Sequence, residues 1–117
     1  MSPKLKQALN AAEEVQLTVT GRKSGRKIPR PVWYVVDGDK ILLLPVYGGG
    51  TEWYKNLSKN PTTTISAGKE SFTGKAVLIK DKRRVEEIAD KFRAKFGAGD
   101  VKRYYSKFDV AIELTMP

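Results

Sequence analysis

The sequence predicts a mainly β fold of the α+β class: six antiparallel strands closing into a small barrel, with helices at its flanks. Three observations carry this. Apolar, β-branched runs recur along the chain and are joined by short turns rather than by the long crossovers that parallel strands need. Asp37-Gly38 lies between two such runs, which is a strong local hairpin signal. One long stretch, Asp81 to Phe96, carries clear helical periodicity.

In chain order, Ser2 and Pro3 read as N-cap and first position of a short helix through about Glu13, with Leu5, Ala8, Leu9 and Ala12 on one face. VQLTVT (Val15–Thr20) alternates as a half-buried strand does. RPVWYVVDGDKILLLPV (Arg30–Val46) is two strands around the Asp37-Gly38 turn. The prolines Pro29 and Pro31 suit an edge or the start of a strand, because neither donates to a ladder. Three glycines, Gly48 to Gly50, precede a one- or two-turn helix that Thr51 caps and Pro61 ends. TTTISA (Thr62–Ala67) and ESFTGKAVLI (Glu70–Ile79) pair through Gly68-Lys69. Asp81 caps the long helix, whose apolar stripe is Val85, Ile88, Ala89, Phe92 and Phe96. Asp100 caps a short helix through Lys107, and VAIELTM (Val110–Met116) is the closing strand.

The 117 residues are of ordinary size for one domain. No repeat, linker or low-complexity segment divides them. No apolar run reaches the ~18 residues of a membrane span, and the N-terminus lacks an apolar signal core, so a cytoplasmic protein is expected. There is no cysteine and no histidine. That excludes disulfides, thiolate nucleophiles, Cys/His zinc sites and histidine-based triads, and no metal site is expected. An enzyme built from this sequence would leave the hard step to a cofactor. The 22 basic and 13 acidic residues give a net charge of +9, which attracts anions of several kinds: nucleic acid, a phosphorylated cofactor or an acidic surface.

Those cations concentrate in TGRKSGRK (Thr20–Lys27). Gly21 and Gly25 permit positive φ, and successive amides in such a turn form an anion nest. Arg22, Lys23 and Arg26 add charge, and Ser24 adds a hydroxyl donor. Walker spacing is absent, and no helix opens after the loop in the Rossmann manner. A solvated hairpin loop kept basic for solubility fits the charge equally well. The glycine run has two readings as well: a ligand slot beside a helix N-terminus, or a flexible turn. In EWYKNLSKNP, Trp53 and Leu57 share a core face, while Tyr54 and Asn56 project elsewhere; Asn56 has the donors and acceptor to meet a heterocycle edge. Tyr47, Tyr104 and Tyr105 are candidate proton donors or carbonyl-orienting groups.

Taken in order, TGRKSGR, a proline-bearing strand, DGDKILLLP, a glycine run, WYKNLSKNP, a strand pair, an amphipathic helix and a final apolar strand resemble the deazaflavin-dependent nitroreductase family. The resemblance runs from Val15 to Pro117 and is most specific at Thr20–Arg26 and Trp53–Pro61. It implies a single split-barrel domain over residues 1–117, related to the flavin-binding, pyridoxamine-phosphate-oxidase-like fold. It also implies an oxidoreductase transferring hydride from the reduced deazaflavin coenzyme F-420 to an electron-poor organic acceptor such as a quinone, enone or nitroaromatic. By the same resemblance, Arg22, Lys23, Ser24, Gly25, Arg26 and Lys27 hold the anionic part of the coenzyme, and Leu44, Pro45, Val46, Tyr47 and Gly48 flank the ring. Asn56 stands at the asparagine of the family's second motif, and a homodimer is implied. FMN would use a similar phosphate nest, so an FMN-binding reductase or non-catalytic carrier is the alternative. A nucleic-acid-binding barrel ranks below both, because the cations cluster in one loop rather than along a groove.

Overall fold

A computed structural model describes residues 3–117. The expected N-cap, Ser2, lies outside the described residues. Two antiparallel four-stranded sheets form the body of the molecule. Helix α1 (Pro3–Ala11) leads into β1 (Glu14–Thr20), β2 (Lys27–Trp33), β3 (Val35–Asp37) and β4 (Lys40–Leu43). A 3₁₀ turn (Gly48–Gly50) and α2 (Glu52–Lys59) follow, then β5 (Thr62–Ala67), β6 (Glu70–Lys75) and β7 (Val77–Ile79). The chain ends with α3 (Lys82–Phe96), α4 (Ala98–Tyr104) and β8 (Ala111–Thr115). One sheet has the order β2-β1-β5-β6 and the other β3-β4-β8-β7.

Eight strands stand where the sequence predicts six, because two long strands each break once and change sheets. The first breaks at Tyr34: Trp33 pairs with Glu14 in one sheet and Val35 with Leu42 in the other. The second breaks at Ala76, between Lys75 paired with Thr62 and Val77 paired with Glu113. Strands that bend from sheet to sheet make the corners of such packings. The break at Tyr34 is stabilised on every side. Lys95 Nζ donates to its carbonyl at 2.7 Å and stands 3.9 Å over its ring. Its phenol oxygen faces the carbonyls of Leu9 and Ala12, which share its one proton, and this ties α1 to the corner.

The apolar run at Ile41–Leu44 follows from the layering. Ile41 and Leu43 face a core shared with Val15, Leu17, Val19, Leu57 and Ile65. Leu42 and Leu44 face a second core under α3 and α4, with Ile88, Phe92 and Val101. A strand covered on both faces has no reason to alternate with polar residues. Each large side chain buried this way contributes ~1.5–3 kcal/mol. Asp81 caps α3 as expected, accepting from the Arg84 amide at 2.9 Å. Arg84 also reaches Glu87 at 3.3 Å and Glu113 of β8 at 3.6 Å, which explains that cation at the start of a helix.

Several boundaries differ from expectation. The hairpin turn is Gly38-Asp39 rather than Asp37-Gly38, since Asp37 pairs with Lys40. Gly38 has φ +62°, and no non-glycine residue has positive φ among the described residues, which matches a type II′ turn. Asp100 sits in the first turn of α4, which starts at Ala98 and stops at Tyr104 rather than Lys107. Thr51 occupies the N-cap position of α2 without a capping bond; its hydroxyl instead accepts from the Tyr47 amide at 2.9 Å.

Candidate cofactor site

Leaving β4 at Leu44, the chain folds tightly over residues 45–51. Pro45 accepts from the Gly48 amide, Tyr47 from Gly50 and Gly48 from Thr51, at 3.1, 3.2 and 3.1 Å. Val46 binds the far wall: its carbonyl accepts from the Ser106 amide at 2.8 Å and the Ser106 hydroxyl at 3.2 Å. Between these segments, the end of β2 and the start of α2 lies a cleft of about 640 Å³. Volumes of this order suit a drug-sized or cofactor-sized ligand. Its walls are mostly apolar and aromatic: Val32, Trp33, Leu44, Val46, Tyr47, Trp53, Tyr104 and Tyr105, with Glu14 and Arg30 at the side.

The aromatic residues form a braced wall. Trp33 stacks on Phe96 at 4.3 Å and 13°. Tyr104 meets Trp33 edge-on at 5.5 Å, and Tyr105 leans against it at 6.1 Å. Stacked and edge-to-face pairs add to the energy of packing, so Trp33 is braced from several sides. Burial pushes the Tyr105 phenol well above its ordinary value, which makes it a poor proton donor near neutral pH. Tyr47 and Tyr104 are exposed at 64% and 52%, so both present a phenol at the cleft without burial cost.

Beside the cleft is a smaller cavity of about 260 Å³, lined by Gly21, Arg22, Lys23, Ser24 and Ile28 of the β1–β2 turn and by Asn56 of α2. The turn is closed by its own bonds: Gly21 donates to Arg26 at 2.8 Å, Gly25 to Gly21 at 2.9 Å and Arg26 to Ser24 Oγ at 3.2 Å. Gly25 takes the expected positive φ and Gly21 does not; a Cβ at Gly21 would instead press on Ser24 Oγ at 2.6 Å. Asn56 is buried and accepts from Arg22 twice, from the amide at 3.1 Å and from Nη1 at 2.8 Å. Arg22 Nη2 continues to Glu52 at 3.3 Å. Among the described residues, the amides of Lys23 and Ser24 have no protein acceptor. Two free amides beside lysine and arginine side chains are the elements from which anion-binding nests are built. Arg30, Glu52 and Trp53 line both cavities, so the two are neighbours with a shared wall.

The expected site residues therefore divide. Arg22, Lys23, Ser24 and Asn56 line the basic cavity, and Leu44, Val46, Tyr47, Tyr104 and Tyr105 line the cleft. Gly25, Arg26, Lys27, Pro45 and Gly48 line neither. Lys27 Nζ is turned to Thr20 Oγ1 at 3.0 Å. Asn56, expected to meet a heterocycle, has its oxygen committed to Arg22. The glycine run offers no open anion slot: Asp109 Oδ1 already accepts from the Gly49 amide at 3.0 Å, and the neighbouring amides are bonded within the turn. Trp33, Trp53, Arg30 and Glu52 were not singled out as site residues by sequence reasoning. Trp33 and Trp53 read as strand and helix core, and only the juxtaposition of β2, α2 and α4 puts them in a cleft. A lone acid between a glycine run and two aromatics was the available sign for Glu52.

The donors present fit an elongated ligand with a flat ring at one end and negative charge at the other. Solved structures of similar fold include an F420-H2-dependent reductase, FDR-A (TM-score 0.68, 21% identity, covering 87% of this chain and 93% of that one). Another is assigned provisionally as a pyridoxamine 5′-phosphate oxidase from Listeria innocua (TM-score 0.71, 17% identity, covering 96% and 90%). At these identities the likeness is one of fold. The sequence profile described as F420H(2)-dependent quinone reductase matches residues 2–113, and the chain belongs to that family. A Mycobacterium tuberculosis protein, Rv3178, provisionally named an F420H(2)-dependent quinone reductase, is 32% identical over 66 residues, covering 54% of this chain and 56% of that protein. The matched region thus spans little more than half of that relative.

Proposed function

We propose that this chain is a reductase that binds the reduced deazaflavin coenzyme F-420 and passes hydride to a quinone-type acceptor. The observation that carries this reading is an aromatic cleft set beside a cationic cavity, with Arg30, Glu52 and Trp53 lining both. The anionic part of the coenzyme lies against Lys23, Arg30 and the open amides of Lys23 and Ser24. The ring lies in the cleft among Leu44, Val46, Trp33 and Trp53. When bound, the coenzyme supplies hydride. The protein's part is to orient the ring, exclude water from it through the aromatic wall, and hold the acceptor beside it. Tyr47 and Tyr104 are the phenols that meet the acceptor at the cleft mouth. Tyr105 packs and orients the wall.

The same reading takes residues 1–117 as one binding domain. In this reading its two four-stranded sheets, linked at Tyr34 and Ala76, make up a split barrel. It also takes the molecule to be a cytoplasmic homodimer. Support for the dimer is a similar solved structure described as a domain-swapped dimer, together with the exposed Tyr47, Val77 and Tyr104. Sedimentation velocity checks it: a monomer at micromolar concentration sinks the dimer.

The test of function is a fluorescence titration with coenzyme F-420 and with FMN, followed by turnover of the reduced coenzyme with a soluble quinone. Tight F-420 binding, weaker FMN binding and quinone-dependent oxidation are expected. Lys23→Ala should weaken F-420 binding by about fivefold, as loss of a charge-assisted contact does. FMN bound more tightly than F-420 replaces the cofactor assignment. Binding without turnover makes the chain a carrier, and binding of neither cofactor overturns the proposal.

A further inference from the structure

Glu52 is an acid that lines both cavities, and one cation of the basic cavity, Arg22, already holds it together with Lys55. Lys55 Nζ lies 3.3 Å from Oε2, and Arg22 Nη2 lies 3.3 Å from Oε1 and 3.5 Å from Oε2. Lys55 first, and Arg22 next, hold this carboxyl below the usual range, so it is ionised at neutral pH. The side chain is 71% exposed, so no packing fixes it there. Arg22 differs: its backbone amide and Nη1 stay anchored on buried Asn56 whatever Glu52 does. Arg30 is the uncommitted partner. It is exposed, lines both cavities, and has no ion pair or side-chain hydrogen bond among the described residues.

From this geometry we infer that Glu52 is a displaceable internal anion and a specificity-determining residue of the cofactor site. Without an anionic ligand it occupies Arg22. A phosphate-bearing ligand enters between Arg30 and Arg22 and displaces it. The inference rests on the reading above, that an anionic cofactor lies across both cavities. Its physical content is an exchange of one ion pair for another. A ligand with charge at Arg22 has to compete with Glu52, whereas a ring without phosphate has no reason to move it. Every anion that uses Arg22 bears the same displacement cost, and small anions, which bring no aromatic contact, are left with the weakest binding. Glu52 therefore sets an affinity threshold that phosphate alone does not reach and that a ligand with both a ring and a charge does. It also lowers the affinity of the basic loop for phosphate groups in general.

The experiment compares wild type, Glu52→Gln and Arg30→Gln against three probes: coenzyme F-420, the deazaflavin riboside without phosphate or glutamates, and inorganic phosphate. Dissociation constants come from fluorescence for the first two and from NMR shift titration for the third. Glu52→Gln should tighten F-420 and phosphate by about three- to fivefold, the scale of one exposed ion pair, and leave the riboside unchanged. Arg30→Gln should weaken F-420 by about tenfold, the scale of a charge-assisted contact, again without effect on the riboside. Unchanged or weaker F-420 and phosphate binding by Glu52→Gln overturns the inference. Equal tightening of the riboside overturns it too, since Glu52 would then act through cleft shape. A wild type that binds phosphate but neither deazaflavin overturns the proposed function instead, and the phosphate titration still reads the displacement.

Discussion

Arg22 and Lys23 carry the same charge at adjacent positions and serve differently, because Asn56 holds only the first. The buried amide of Asn56 is the clasp between the β1–β2 turn and α2. Asn56→Ala leaves the Arg22 amide without its acceptor, and a buried donor left unpaired costs ~1–3 kcal/mol. Urea unfolding should show that loss, and F-420 affinity should fall with it because the loop is no longer held. Full stability in Asn56→Ala would mean that the loop is positioned by its own turn bonds. Gly48 is constrained in another way. Its φ is +58°, and an added Cβ would meet Asp109 Oδ1 at 2.0 Å. Asp109 cannot move aside without releasing the Gly49 amide. Gly48→Ala should therefore destabilise by ~2 kcal/mol or more, from backbone strain plus the lost bond. A denaturation midpoint equal to wild type would contradict this.

At the level of elements, the corner at Tyr34 joins four parts of the chain. It ends β2, begins β3, receives Lys95 from α3 and holds the C-terminal end of α1 through its phenol. The carbonyl that leaves the strand ladder is satisfied by an ammonium, so the break carries no orphaned acceptor. Tyr34→Phe removes only the phenol's bonds. The expected result is ~1–2 kcal/mol of lost stability, with faster amide exchange confined to residues 3–12. Exchange rising instead across β2 and β3 would show that the ring, and not the phenol, holds this corner.

For the whole molecule, pH acts through buried aromatics. Burial raises the phenol pKa of Tyr34, Tyr54 and Tyr105 above the ordinary value near 10. Below pH ~10 these phenols are neutral in both states, and their contribution is fully present. As pH rises through and beyond that value, the unfolded chain ionises while the folded one resists, so stability is lost. Lys95 opposes this, because burial lowers its pKa and the folded state sheds that proton first. Its effect is a modest rise in stability toward pH ~10, beyond which it adds nothing. Three phenols against one amine predict a net fall above pH ~10. Unfolding curves from pH 8 to 11 should show it, and Tyr105→Phe should make the fall shallower. A flat profile to pH 11 would remove burial of Tyr105 as the cause.

The sequence by itself determined what is local or compositional. Alternation in VQLTVT and turn residues at Gly38 and Gly68 fix the strands. The Asp81 cap and the Val85–Phe92 stripe fix α3. The absence of cysteine and histidine excludes thiolate and histidine-based catalysis. The order of the basic turn and WYKNL motif carried the family. Tertiary structure decided the rest, because those features depend on which distant segments meet. A continuous apolar run such as RPVWYVV gives no sign of where it changes sheets; buried Tyr34, with Lys95 on its carbonyl, decides that. A tryptophan reads as core until β2, α2 and α4 leave a gap beside it. The basic turn looked uniform in sequence. Only its contact with α2, 34 residues on from Arg22, separates the arginine held by Asn56 from the lysine and amides that remain open, and sets an acid against that arginine.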